Sequence, residues 1–200
     1  MQTHDELVDT LFRYTQAISV ALGHRDQETR LHSDRVSQLS KAIGEGCGLS
    51  VRELGILRIS ASLHDVGKIG VRDAILSKQG KLDDSERAEM SLHSEIGEDI
   101  ILATHIEGAA EAAPAIRHHH EHFDGRGYPD GLAGEDIPVA ARIIAIADSY
   151  DAMAVSRPYH KKRKHAEIME ILHAESGSKH DPALLRIFCS LIENSSFRTS

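Results

Sequence analysis

Apolar residues recur every three or four positions along almost the whole chain, and no stretch of useful length alternates in the period of a strand. That pattern restricts the fold to all-α, a single-domain helical bundle over residues 1–200. A first amphipathic helix is predicted over 5–22, with Leu7, Leu11, Tyr14, Ile18 and Leu22 on one face and Gly23 at its end. A second is predicted over about 26–43, its apolar side being Leu31, Val36, Leu39 and Ile43. Ser50 with Glu53 three residues on makes a capping box for a third, in which Leu54, Leu57 and Ala61, with Ile56, Ile59 and Leu63, mark burial. Residues 69–82 are turn-rich. Asp83 or Asp84 then caps a helix through Met90, His93 and Ile96, followed by another over about 96–105. Residues 139–153 form the most apolar helix and so a central one. Two closing helices follow over about 166–175 and 182–192, the second capped by Asp181 with Pro182 at its first position.

The third helix ends in His64-Asp65, a histidine and a carboxylate side by side at the end of a buried run. A buried carboxylate must be paired or coordinate a metal, and imidazole is the commonest metal donor among side chains. Taken alone, the pair is equally well explained by local hydrogen bonds at a helix end. Other donors change the balance. Glu28 and His32 are four apart on one helix face, their Cβ atoms about 5 to 6 Å apart, and can address one cluster; alone they would be a solvated pair. His93 stands singly on its helix. His118-His119-His120-Glu121-His122 is the densest donor run, and a helical turn of about 100° per residue lets two of the three successive histidines reach a site while one faces away. Asp148 interrupts the most apolar helix and needs a cation, whereas Asp151, one turn later, suits a supporting carboxylate.

Composition agrees with an imidazole and carboxylate site. There are 14 histidines in 200 residues but only two cysteines, Cys47 and Cys189, in no paired ligand spacing. A thiolate zinc site is thereby excluded, and iron, manganese, nickel, cobalt or zinc in an open nitrogen and oxygen site is favoured. The net charge of -8 argues against non-specific nucleic-acid binding. No apolar run approaches a membrane span or a signal-peptide core, so a cytoplasmic protein is expected.

Two further stretches can meet an anionic ligand. Gly125-Arg126-Gly127-Tyr128-Pro129-Asp130-Gly131 reads as an ordered rim loop in which Tyr128 either stacks on a base or anchors the loop through its hydroxyl. Arg157-Pro158-Tyr159-His160-Lys161-Lys162-Arg163-Lys164 is the one strongly basic run, and Arg157 is its best phosphate contact because a guanidinium forks onto phosphate.

His64-Asp65-Val66-Gly67-Lys68-Ile69-Gly70, then His119-His120-Glu121 with Asp124-Gly125-Arg126-Gly127-Tyr128-Pro129-Asp130-Gly131-Leu132, then Ile146-Ala147-Asp148 and Arg157-Pro158-Tyr159, occur in one order. In this the chain resembles, over about 28–188, the HD-GYP family of all-α, metal-dependent phosphohydrolases whose usual substrate is cyclic di-GMP. The resemblance implies that His32, His64, Asp65 and Asp148 are the core metal ligands, with Asp65 bridging two ions. It adds His93, His119 and His120 around a second or third ion, and Glu28 as the acidic residue of members holding three metals rather than two. It places Lys68 at the scissile phosphate, Arg157 on phosphate and Tyr128 at the substrate. Three positions beyond Arg157, where many relatives carry a second basic contact, stands His160, with Lys161 next to take over that contact. His180 replaces a more usual Phe before the last Asp-Pro and is read as peripheral.

Hydrolysis of cyclic di-GMP to pGpG, with onward cleavage to GMP if three ions bind, is the expected activity, and neutral histidines make it fall on the acid side. Two alternatives stand beside it. One is a weakly active cyclic-dinucleotide-binding adaptor that signals through partners such as a diguanylate cyclase, a reading toward which His160 leans. The other is a phosphohydrolase of ordinary nucleotides, against which the Gly127-Tyr128-Pro129 loop argues.

Overall fold

The computed structural model describes residues 18, 20, 27–105, 107–155 and 162–199, with backbone alone at 27–29. The helix expected over 5–22 lies outside these residues except at Ile18 and Val20, which are helical. Among the described residues there is no strand, only the isolated bridges Asp124 to Ala133 and Ser176 to His180.

Helix α1 spans Gln27–Gly46 and α2 Val51–Leu63. The expected cap of α2 is present: the Ser50 hydroxyl accepts from the Glu53 amide, and the Ser50 amide donates to the Glu53 carboxylate at 2.8 Å. Caps of this kind are each worth about 1 kcal/mol. A 3-10 turn, Val66–Gly70, and a short α3, Asp73–Leu76, fill the turn-rich stretch. Asp83 caps α4, Asp84–Ser91, but the helix expected to continue through His93 breaks at Leu92, and α5 runs His93–Leu102. The break turns His93 inward, where its ring takes the Met90 carbonyl at 2.6 Å. Helix α6, Ala109–Arg117, absorbs the alanine-rich stretch with Pro114 inside it. Helices α7, Val139–Ala154, α8, His165–Ala174, and α9, Pro182–Ile192, complete the described fold, and the Asp181 carboxylate caps α9 by accepting from the Ala183 and Leu184 amides at 2.7 and 3.2 Å.

Helix α1 packs on α2 and α7, α2 on α6, α5 on α6, and α9 closes over α1. Two apolar clusters result. The larger joins Val36, Leu39 and Ile43 of α1 to Ile143, Ile144 and Ile146 of α7 and Leu184, Leu185 and Phe188 of α9. The smaller joins Ile59 and Leu63 to Ile101 of α5 and Ala112, Ala113 and Ile116 of α6. Helices α2 and α6 serve both, because Leu57, Ala61 and Ala115 turn the other way, into the larger cluster. Each fully buried Ile or Leu contributes roughly 1.5 to 3 kcal/mol, so the two clusters hold these helix ends firmly.

One glycine sets the distance between the 3-10 turn and α5. A Cβ on Gly67 would lie 1.9 Å from the His93 carbonyl oxygen and 2.6 Å from the Gly97 amide nitrogen, so only glycine permits this backbone contact. It brings Asp65, two residues earlier, against the start of α5.

Candidate metal centre

Five helices carry the donors into one space. His32 projects from α1, His64 follows α2, His93 begins α5, His119 and His120 follow α6, and Asp148 comes from the interior of α7. The structure groups them as two triads, His32, His64 and Asp148 in one and His93, His119 and His120 in the other, each with ligand atoms within 4.8 Å of one another. Asp65 lies between them. Its Oδ2 is 3.5 Å from His64 Nε2 and its Oδ1 is 3.6 Å from His93 Nε2, so each carboxylate oxygen faces a different triad. The His64 and His119 rings meet edge to face across the boundary, their centroids 5.1 Å apart.

Three of the histidines are oriented by one local device. His64 Nδ1 meets the Ala61 carbonyl at 2.8 Å, His93 Nδ1 the Met90 carbonyl at 2.6 Å, and His119 Nδ1 the Ile116 carbonyl at 2.6 Å, always three residues back. A carbonyl only accepts, so Nδ1 carries the proton and the Nε2 lone pair is left to face the site. His32 is held by a carboxylate instead: Nδ1 donates to Asp151 Oδ2 at 2.7 Å, and Arg35 forks onto Asp151 at 2.6 and 2.9 Å. His64 Nε2 is buried with no hydrogen-bond partner. An orphaned lone pair ringed by imidazoles and carboxylates, with no thiolate, fits a divalent transition metal.

Protonation follows from burial and charge. Burial pushes the His64, His93 and His119 imidazoles down and His120 to about 3, so all four are neutral and free to donate. Burial also works against a charge on His32, but its bonds to Asp148 and Asp151 win and raise it to about 9. Burial likewise opposes ionisation of Asp65 and Asp148, yet Lys68 beside Asp65 and His32 beside Asp148 hold both carboxyls well below their usual range. His32 Nε2 lies 3.0 Å from Asp148 Oδ1, the contact that helps raise its imidazole.

Lys68 Nζ is 2.6 Å from Asp65 Oδ2. The Lys68 and Asp148 side chains are 23 % and 21 % exposed against 5 % for Asp65, so they line the mouth and Asp65 the floor. Tyr128 reaches the same space: its ring centroid is 4.9 Å from that of His120, and its amide donates to the His120 carbonyl at 3.3 Å. Gly127 permits this, because a Cβ there would lie 2.2 Å from the His122 amide nitrogen and 2.5 Å from the His120 carbonyl oxygen.

Of the remaining expected site residues, Glu28 lies on α1 one turn before His32, with its side chain outside the described residues, as are Arg157, His160 and Lys161 altogether. His118 is the histidine of the three that turns away. His180 is not at the periphery: it is 1 % exposed, and burial drives its imidazole down to about 3. Its Nε2 lies 3.2 Å from Glu175 Oε2. Sequence reasoning did not find Arg35 or Arg117, whose partners lie outside their own helices. A third group, His118, Glu121 and Asp130, also has donor spacing, but Arg117 and two backbone amides already bond to it.

The chain matches the family model for the HD domain over residues 15–184. It is 38 % identical over 182 residues to a cyclic di-GMP phosphodiesterase response regulator, RpfG, of Xanthomonas campestris pv. campestris, covering 89 % of this chain and 47 % of that protein. It is 36 % identical over 186 residues to 3'3'-cGAMP-specific phosphodiesterase 2 of Vibrio cholerae, covering 93 % of this chain and 34 % of that protein. The chain thus spans about half the length, or less, of these curated relatives. Among solved structures, Bd1817 of Bdellovibrio bacteriovorus, described as an HDG"Y"P protein, superposes with a TM-score of 0.68 at 20 % identity, covering 94 % of this chain and 60 % of that one. The His-Asp pair and the imidazoles grouped around it agree with these similarities, and the chain belongs to the HD domain family.

Proposed function

We propose that this chain is a metal-dependent phosphodiesterase that hydrolyses cyclic di-GMP to pGpG. The observation that carries the reading is Asp65, with one carboxylate oxygen toward each of two histidine-rich triads. A carboxylate so placed suits two adjacent ions, held by His32, His64, Asp65 and Asp148 on one side and by Asp65, His93, His119 and His120 on the other. Glu28, one turn before His32, supports a third. Iron or manganese best matches this donor set. When bound, the ions supply Lewis acidity toward phosphate oxygens and lower the pKa of a water.

The chain's own groups do the rest. Lys68 puts a cation at the mouth, beside the position of the scissile phosphate, and so lowers the cost of gathering negative charge there. Tyr128 offers an aromatic face for a guanine, and Arg157, with His160 or Lys161, contacts phosphate. The His119 and His120 imidazoles are neutral and do not protonate a departing oxygen at neutral pH. Water adds across one P–O3' bond, its oxygen to phosphorus and a proton to the 3' oxygen. No redox change occurs. Onward cleavage to GMP goes with the three-ion form.

Relatives named for cyclic di-GMP and for 3'3'-cGAMP support the cyclic-dinucleotide class more strongly than one member of it. A cytoplasmic location, and a diguanylate cyclase as signalling partner, accord with that substrate; no helix among the described residues is long and apolar enough to cross a membrane. The test is anaerobic turnover of cyclic di-GMP by protein reconstituted with Fe²⁺ or Mn²⁺, with products resolved over time and metal counted on the same sample. Steady release of pGpG or GMP is expected. A full metal complement with tight binding and no turnover would overturn the enzymatic reading in favour of an adaptor.

A further inference from the structure

Outside the donor triads, a set of charged side chains fastens the Tyr128 loop to the helices that carry the histidines. Arg117, the last residue of α6, donates from Nε to Asp130 Oδ2 at 2.7 Å and from Nη2 to Asp130 Oδ1 at 2.9 Å. Its third nitrogen, Nη1, donates to Glu98 Oε2 of α5 at 2.9 Å. His118 Nε2 meets the same Asp130 Oδ2 at 2.8 Å. From below, Glu121 Oε1 accepts from the Asp130 and Gly131 amides at 2.7 and 2.9 Å. Asp130, two residues past Tyr128, is therefore gripped by both its carboxylate and its backbone.

The fork is directional, because a guanidinium facing a carboxylate fixes angle as well as distance. It is also partly exposed, with side chains 22 % and 39 % accessible for Arg117 and Asp130, so it adds little to global stability. Its effect is on geometry. With the Asp130 side clamped to α5 and α6, and the Tyr128 amide donating to the His120 carbonyl at 3.3 Å, the Tyr128 ring rests against His120. His119 needs no help from the fork, since it is buried and held by the Ile116 carbonyl.

We propose that Arg117 and Asp130 are positioning residues for substrate recognition, acting through Tyr128 to hold an aromatic platform for a nucleobase. The inference rests on the cyclic-dinucleotide reading above and adds the residues that set its recognition geometry.

The test uses the full chain loaded with Mn²⁺ and the variants Arg117→Met, Asp130→Asn, Tyr128→Ala and the double variant Arg117→Met with Tyr128→Ala. Arg117→Met and Asp130→Asn should each raise KM for cyclic di-GMP about 10-fold with kcat little changed, short of the ~100-fold that a full misplacement costs. Bound metal, and turnover of bis(p-nitrophenyl) phosphate, a diester without a nucleobase, should stay at the wild-type level. The double variant should be no worse than Tyr128→Ala alone. Additive losses in the double variant, or a parallel fall in metal content and in diester turnover, would overturn the proposal. Amide exchange provides a readout without substrate: segment 128–131 should exchange faster in Arg117→Met and Asp130→Asn, and unchanged exchange there also overturns it. If the wild-type protein turns over no cyclic dinucleotide, the proposed function fails, and unchanged KM values in a protein that does turn it over would sink the positioning role by itself.

Discussion

Asp151 Oδ2 lies 2.7 Å from Nδ1 of His32, across 119 residues of chain, and aims the other ring nitrogen at Asp148. A carboxylate behind a ligating imidazole fixes the tautomer and makes the ring a better donor. Arg35 in turn fixes Asp151.

Asp151→Asn should therefore weaken metal binding at the His32 triad by roughly 10- to 100-fold while the fold is retained. Titration of the metal-free variant with Mn²⁺, read as bound metal against free metal, checks this. An affinity equal to wild type would remove Asp151 from the support of the site.

Metal uptake should release a proton. In the metal-free protein His32 is raised from 6.5 to about 9, so at neutral pH it is protonated and must lose that proton to donate. His120, down at about 3, and the other lowered imidazoles have none to lose. A raised folded-state pKa stabilises the metal-free protein fully below 6.5, and that contribution disappears as pH rises through about 9. Affinity should accordingly climb with pH through the neutral range and level off above about 9. Calorimetric titration at pH ~7.5 in two buffers of unlike ionisation heat should count about one proton released.

Asp65→Ala should abolish both metal retention and turnover, since it removes the group facing both triads. Tyr128→Ala should leave metal in place and weaken only cyclic-dinucleotide turnover. Metal counting beside kinetics separates the two, and loss of metal in Tyr128→Ala would contradict its assignment to the substrate.

Lys68→Met should keep metal and lower turnover by roughly 10²- to 10³-fold, the usual effect of deleting one preorganised electrostatic contact. Equal kcat in the variant would show that the Lys68 charge serves Asp65 alone.

Gly67→Ala should destabilise the protein by about 1 to 3 kcal/mol, because the new methyl meets the His93 carbonyl and no flexible side chain is there to yield. Thermal melting of metal-free protein reads the loss, and an unchanged melting temperature would mean that the turn moves aside freely.

What could be read from the sequence was what is local. The capping box at Ser50 and Glu53, the Asp181 cap and the apolar faces of α2 and α7 are all fixed by residues within a few positions of one another. The donor residues were legible for a related reason: His64-Asp65 and Asp148 stand out against apolar helices whose interiors tolerate no idle charge. The break at Leu92 was not legible, because it depends on Gly67 seating against His93, a contact between separate elements. Arg35 with Asp151 and Arg117 with Asp130 were invisible for the same reason, and His180 looked peripheral because nothing near it in the chain announces its burial.

The two helices that feed both apolar clusters, α2 and α6, are the ones whose ends supply His64 and His119. Ions shared across Asp65 would therefore act as rivets along the seam between the two apolar clusters. Loaded protein should melt as one unit. Stripped protein, held along that seam by the Lys68–Asp65 and His32–Asp148 pairs in place of ions, should come apart in two stages, so a calorimetric trace records occupancy of the centre without any substrate being added.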